Sequence, residues 1–243
     1  MTFALTDEIR AKITSAIEAG LVSGVGNPVP GEMCIESAIC YALGEPHGDK
    51  PSCVATPDRE WFIRLNDAAW PSNEERSRAF LPIAFAQLGT AGTSRREWIK
   101  RVTEGTIRRV LPLSMRLTAE HLKEGEIKTK LLEAAARCER DGDAASARSA
   151  REAWRAADAA AAYRAAYGGV AAAAAAAADA AYRADVAAYR AVAAAAAAAA
   201  DAAGSVGSVG SVGSADARVA RLRVLHEAIA VAHEAYRAEG RAS

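Results

Sequence analysis

Gly168-Gly-Val-Ala-Ala-Ala-Ala-Ala-Ala-Ala-Ala-Asp-Ala-Ala-Tyr182-Arg-Ala-Asp-Val-Ala-Ala-Tyr189 is the stretch on which the reading of the fold turns. It lies inside residues 144–203, where 37 of 60 positions are alanine. Alanine loses no side-chain rotamer freedom in a helix, so a stretch this rich is predicted to be helical even where it makes few tertiary contacts. Of 243 residues 51% are nominally hydrophobic, yet 63 are alanine, and Leu, Ile, Val and Phe together supply only 44. With 30 basic and 30 acidic side chains the net charge is zero, so the shortage of large apolar residues points to helix rather than to a charged, disordered chain. The predicted fold class is all-α: a multi-helix domain carrying a long alanine-rich helical hairpin or arm.

Gly168-Gly169 is the one internal breaker of the alanine-rich region. Paired glycines can close an antiparallel hairpin or bend a single rod; the hairpin is favoured because a lone rod would leave most of its methyl surface wet. Tyr182 and Tyr189 are seven residues apart and Trp154 shares their heptad phase. With Tyr163 and Tyr167 they form a candidate association seam, in which rings periodically lock closely packed helices. A solvated spacer is the alternative. The longest alanine runs, Ala171 to Ala178 and Ala193 to Ala200, are flanked by Asp179, Arg183, Asp185, Arg190 and Asp201, which breaks up any apolar stretch of the ~20 residues needed to span a bilayer. The charges at Asp7, Glu8, Arg10, Lys12 and Glu18 likewise interrupt any secretory apolar segment. With only four cysteines, these features give a cytoplasmic expectation, without a membrane partner.

The triplet repeat from Gly204 to Ser214 reads as a flexible linker; neither a strand before it nor a Lys-Ser/Thr after it supports a phosphate loop. Beyond it Leu222, Leu225, Ile229, Ala232 and Tyr236 recur three and four apart, the pattern of an amphipathic helix. Their size suits the Ile107, Val110, Leu111 and Leu117 stripe, so residues 1–143 plus 215–243 are expected to form a discontinuous domain with 144–203 as a helical insertion. Within the first part, Ile9, Ile13 and Ile17 mark a helix over about Thr6 to Gly20. Glu32 to Leu43 reads as a helix stopped by Gly44, and Pro57 to Ala68 as one capped by Thr56. Ser72-Asn-Glu-Glu75 and Ser94-Arg-Arg-Glu97 match the capping box, Pro82 and Pro112 predict kinks, and a further helix is expected from Thr118 to Glu139.

Two clusters invite chemistry. Residues 31–53 hold Cys34, Cys40, Cys53 and His47 among several carboxylates, but the cysteine spacings are wider than the close pairs usual for zinc. Buried thiols are the simplest reading; a metal site, a Cys40–Cys53 bridge or a reactive thiol are the alternatives. Arg101, Arg108, Arg109 and Arg116 fall in a basic cluster, with Arg101/Arg108 and Arg109/Arg116 each seven apart on a helical face. They are the candidate ligand-binding residues for a small anion such as a nucleotide, since arginine makes forked contacts to phosphate. Residues 1–143 contain 19 basic and 21 acidic side chains, which disfavours a nucleic-acid partner.

The segment from Gly31 to Cys53, continued through Arg64-Leu-Asn-Asp67-Ala-Ala-Trp70 and Ala86-Gln-Leu-Gly89, resembles uncharacterised bacterial and phage-type helical proteins with alanine-rich segments. The resemblance covers about residues 31–110 and implies no activity. No catalytic residue, metal ligand or cofactor is assigned. The expectation is a non-enzymatic binding or interaction protein whose alanine-rich arm mediates self-association, as a homo-oligomer, or contact with a protein partner. An anionic-ligand binder is the alternative; a thiol-dependent enzyme and an ice-binding helix are lesser ones.

Overall fold

The computed structural model describes residues 3–120, 122, 124–160 and 214–241. Gly168-Gly169, Tyr163, Tyr167, Tyr182, Tyr189 and the linker glycines of 204–213 lie outside the described residues. Every regular element among the described residues is a helix, as the composition predicts, and the β-type pairing there is confined to isolated bridges from Met33 to Leu21 and to Gly26. The chain divides into two compact units, residues 1–98 with 232–243, and residues 99–231.

In the first unit, α1 (Asp7–Glu18) starts where Thr6 Oγ1 accepts from the Ile9 amide at 3.2 Å, satisfying one of the free amides of the first turn. α2 (Ile35–Leu43) ends at Gly44, which takes the left-handed conformation expected of a glycine stop. Its start differs from the sequence expectation: the cap is Cys34, whose sulfur accepts from the Ser37 amide at 3.4 Å, and Glu32 remains in the preceding loop. α3 (Thr56–Asn66) begins one residue early, so Thr56 lies within the first turn and Ala55, which has no capping side chain, precedes it. α4 (Asn73–Ala84) has the expected cap, Ser72 Oγ accepting from Glu75 N at 3.1 Å. Pro82, which has no backbone N–H to donate, is followed by only two more helical residues.

The core of this unit gathers Ile13 and Ile17 of α1, Ile35 and Ile39 of α2, Trp61, Phe62 and Leu65 of α3, and Phe80 and Ile83 of α4. Phe62 meets Phe80 edge-on at 6.0 Å and stacks with Tyr236 at 6.3 Å, while Trp98 lies 5.1 Å from the same tyrosine. Tyr236, contributed by the C-terminal stretch, is thus a central side chain of a unit otherwise built from residues before Ile99. The loop between α1 and α2 is held from below. Asp67 Oδ1 accepts from Gly24 N at 2.7 Å, Arg76 Nη1 donates to Leu21 O at 2.7 Å, and Ser77 Oγ accepts from Leu21 N at 2.8 Å. At Gly26 (φ 72°) a Cβ would come within 1.9 Å of the Glu32 carbonyl, so only glycine fits there.

α5 (Arg96–Gly105) starts two residues after Ser94 and carries the chain from Trp98, in the first unit, to Ile99, in the second. A π-helical turn, Thr106–Val110, follows and leads into α6 (Leu111–Glu120). Pro112 is the physical reason for this register change, since it cannot donate to a carbonyl of the preceding turn. The expected break at Pro112 therefore takes the form of a widened turn. The helix expected from Thr118 does not exist as such: Thr118 belongs to α6, and α7 (Glu126–Asp141) starts after Gly125, whose φ of 156° suits glycine. Gly142 stops α7 in the left-handed conformation.

α8 (Ala144–Ala160) opens the alanine-rich region with a reciprocal cap that the sequence reading missed. Asp143 Oδ1 accepts from Ser146 N at 2.8 Å and Asp143 N donates to Ser146 Oγ at 3.1 Å. α8 packs on α7, with Ala147, Ala150 and Ala153 buried at a spacing of three, and Leu131, Ala134, Ala135 and Cys138 of α7 likewise buried. Trp154 falls on this helix.

α9 (Ser214–Arg237) is the amphipathic helix expected after the linker; Leu225, Ile229, Ala232 and Tyr236 are buried and Leu222 is half-buried. Within the second unit a Cβ on Gly105 would lie 2.6 Å from a Val231 methyl, and Glu227 pairs with Arg109. These contacts put α9 against the π turn, next to the stripe expected to receive it.

Candidate functional site

The densest buried chemistry lies in the first unit. Asp58, three residues into α3, is fully buried and receives Arg95 bidentately: Nε to Oδ2 at 2.8 Å and Nη2 to Oδ1 at 2.9 Å. The Tyr236 hydroxyl donates to Asp58 Oδ1, and Arg95 Nη1 also reaches Glu239 Oε2 at 2.5 Å. The guanidinium lies 4.9 Å from the Trp98 ring and 5.4 Å from that of Tyr236, within range for cation–π attraction. Burial opposes the charge on Arg95, but hydrogen bonds and charge from Asp58, with Glu239 adding a bond, outweigh it and hold Arg95 above its ordinary value. For Asp58 burial raises the carboxyl above its usual range, with the Arg95 bonds and charge and the Tyr236 hydroxyl opposing. These four residues form a polar lock fastening the end of α9 to α3 and to the approach to α5.

Beside it lies Glu36, the lone charged residue of the otherwise apolar α2. It is fully buried, and neither carboxylate oxygen completes a hydrogen bond. Gln87 is also fully buried and its amide is near enough to favour the Glu36 charge, yet its side-chain nitrogen and oxygen complete no hydrogen bond either. Burial pushes the Glu36 carboxyl well above the ordinary range; Asp58 reinforces the shift, and Gln87 and Arg59 oppose it.

The other residues of the 31–53 cluster have separate duties. Cys34 caps α2, His47 Nε2 lies 3.0 Å from Gly26 O, and Glu45 accepts from the Ser52 amide at 3.0 Å and from its hydroxyl. Cys34, Cys40, Cys53 and Cys138 are free and buried. Burial raises all four thiols, Cys40 and Cys138 to about 12 and Cys53 to about 11. Among the described residues no group of three or more Cys, His, Asp or Glu has the geometry to hold a metal ion.

The arginines singled out for anion binding are not gathered at one point. Arg108 caps the C-terminus of α7: Nη1 donates to the carbonyls of Glu139 at 2.9 Å and Arg140 at 2.6 Å, Nη2 to Asp141 at 2.9 Å, and Nε to Glu104 at 2.9 Å. A cation on the last carbonyls answers the negative end of the helix dipole. Arg109 pairs with Glu227, and Arg116 grips Glu139 with Nε–Oε1 at 2.9 Å and Nη2–Oε2 at 2.6 Å. Arg101 is exposed on α5. Arg108, Arg109 and Arg116 thus organise the second unit; Asp58, Gln87 and Glu239 carry no local signal of burial, whereas Tyr236 lies on the apolar stripe that its spacing predicts.

Together the fold and these buried sites define a helical protein of two units, whose alanine-rich stretch opens with α8, and no helix among the described residues is long and apolar enough to cross a membrane. Comparisons with protein-family models, with curated proteins and with solved structures give no match to the chain.

Proposed function

We propose that the chain is a non-enzymatic binding or interaction protein, in which the helical units hold out the alanine-rich segment for self-association or contact with a protein partner. The observation that supports this reading is the α7–α8 seam. At the start of the alanine-rich region, Ala147, Ala150 and Ala153 serve as a close-packed helix contact rather than as solvated filler. The same residue continues past α8, with rings at Tyr182 and Tyr189 set seven apart. A dozen methyls buried at ~0.8 kcal/mol each would provide up to about 10 kcal/mol before ordering costs, enough to associate helices but with little surplus. Four free, buried thiols suit a reducing cytoplasm, the compartment that belongs to this reading.

The test is the mass of the full chain in solution by light scattering. Self-association predicts an oligomer that Tyr182→Ala/Tyr189→Ala dissociates; a monomer unaffected by the double substitution, and retaining no partner that the substitution releases, overturns the proposal. In the alternative, anionic-ligand reading, Arg108, Arg109 and Arg116 would have to leave the carbonyls and carboxylates they now serve.

A further inference from the structure

We propose that Glu36 is a proton-binding site of the first unit: it is carried as a neutral carboxylic acid, paired with Gln87, and loss of its proton loosens the packing of α2. Four observations converge on this. Glu36 and Gln87 are both fully buried, and all four of their side-chain polar atoms lack a completed hydrogen bond. The two groups are neighbours. The guanidinium that partners Asp58, that of Arg95, is committed to Asp58 and Glu239. Asp58 itself bears on Glu36 as a like charge.

The chemistry of the pair favours the acid form. A carboxylic acid and a carboxamide are complementary: the acid O–H donates to the amide oxygen while the amide N–H donates to the acid carbonyl, so both ends are satisfied by one proton. Ionised, Glu36 can accept only from the Gln87 nitrogen and faces the amide oxygen with a second acceptor. A buried donor or acceptor without a partner is costly, and a buried charge without one more so.

The elements packed on α2 supply little counter-charge. α1 presents Ile13, Ala16 and Ile17 as its buried residues. α3 contributes Asp58, which opposes ionisation, and Arg59, which favours it weakly. Asp49, beyond the end of α2, opposes it again. Ionisation of Glu36 therefore requires water, and water reaches it only if α2 shifts away from α3. α2 also carries the Cys34 cap and Ser37, whose hydroxyl donates to Val25 O at 3.0 Å or Gly48 O at 2.9 Å, so such a shift would release the base of the glycine loop as well.

The direction of the pH effect follows. Glu36 holds its proton more tightly in the fold than in the unfolded chain, so its contribution is whole below the ordinary glutamate range and is lost as pH rises toward the folded value. Across that window the unfolding constant of the first unit rises about tenfold per pH unit. Asp58, raised in the same direction, adds a similar slope starting from its lower ordinary value.

The experiment is urea unfolding of the full chain from pH 5 to 9, followed by tryptophan fluorescence, for the wild type and Glu36→Gln. The expected result is that the wild type loses stability toward alkaline pH more steeply than Glu36→Gln, by up to tenfold per unit, the variant keeping only the slope that Asp58 contributes. Parallel curves would overturn the proposal. Because Glu36→Gln could also fail to fold, the wild-type chain labelled with carbon-13 at the glutamate carboxyls gives an independent reading. One resonance is expected at the neutral-acid position at pH 7, and a spectrum in which every glutamate titrates in the ordinary range overturns the proposal.

Discussion

Removing Arg95 from the polar lock is the most direct test of how the first unit is closed. Arg95→Met keeps much of the aliphatic length but deletes two bonds to Asp58, at 2.8 and 2.9 Å, one to Glu239 at 2.5 Å, and the cation facing Trp98 and Tyr236. The side chains of Arg95 and Asp58 are 4% and 0% exposed, so solvent can replace almost none of this. Breaking a buried pair by removing one partner costs about 3–5 kcal/mol, mostly as the penalty of leaving the other charge uncompensated. With a urea dependence of about 2 kcal/mol per molar, the midpoint should fall by about 1.5–2.5 M. Tryptophan fluorescence suits the measurement because Trp61, Trp70 and Trp98 all belong to this unit. The companion variant Asp58→Leu/Arg95→Met, which removes both charges, should recover most of the loss. A cost below about 1 kcal/mol for Arg95→Met at unchanged urea dependence, or a double variant as unstable as the sum of the singles, would refute the assignment of a coupled buried lock.

Three further outcomes follow from the geometry. Gly105→Ala should destabilise the second unit by about 1–3 kcal/mol, because its methyl would enter the space of the Val231 side chain, and Val231→Ala should relieve it; calorimetry of the single and double variants checks this. A Cβ on Gly142 would lie 2.3 Å from Arg108 Nε, so Gly142→Ala should expel Arg108 from the end of α7 in addition to straining a left-handed position at φ 63°. Arg108→Ala and Gly142→Ala should each cost about 1–2 kcal/mol, with their combination costing less than the sum in thermal unfolding followed by circular dichroism. The thiols at about 11 and 12 should be less than about 0.1% ionised at pH 8, so a thiol reagent should label the native chain slowly and all four cysteines at once in urea. A single cysteine reacting as fast as a free thiol would revive the thiol-enzyme reading.

The readings that held are those whose cause is local. Ser72 caps α4 because a hydroxyl at that position reaches an amide three residues on, and Gly44 stops α2 because only glycine readily adopts its backbone angles. All of that is written within a single turn of chain. The polar lock is not, since its partners lie 37, 144 and 178 residues apart. Asp58 reads as an ordinary first-turn acid and Arg95 as one member of a basic run until the fold brings them together. Glu36 stands in the sequence as one of several carboxylates between residues 31 and 53, and its meaning depends on Gln87 fifty-one positions later. The boundary between α6 and α7 was missed because residues 121–125 carry one glycine and no proline, too weak a signal to divide a stretch rich in helix formers. The arginines at 108, 109 and 116 were legible as a cluster, but not as the clasp of α7 and α9, since an arginine facing a carbonyl and one facing solvent look alike in sequence.

Tyr236 in the centre of the first unit has a consequence for how the chain is made. Synthesis proceeds from the N-terminus at about 5–20 residues per second, so Tyr236 is polymerised about 10–35 seconds after the Asp58 it must meet. During that interval the aromatic faces of Phe62 and Trp98 and the carboxylate of Asp58 have no tyrosine to cover them, while the whole alanine-rich segment leaves the ribosome. The last-made helix is thus a time stamp: the first unit can reach its final form only after the alanine-rich segment has been synthesised in full.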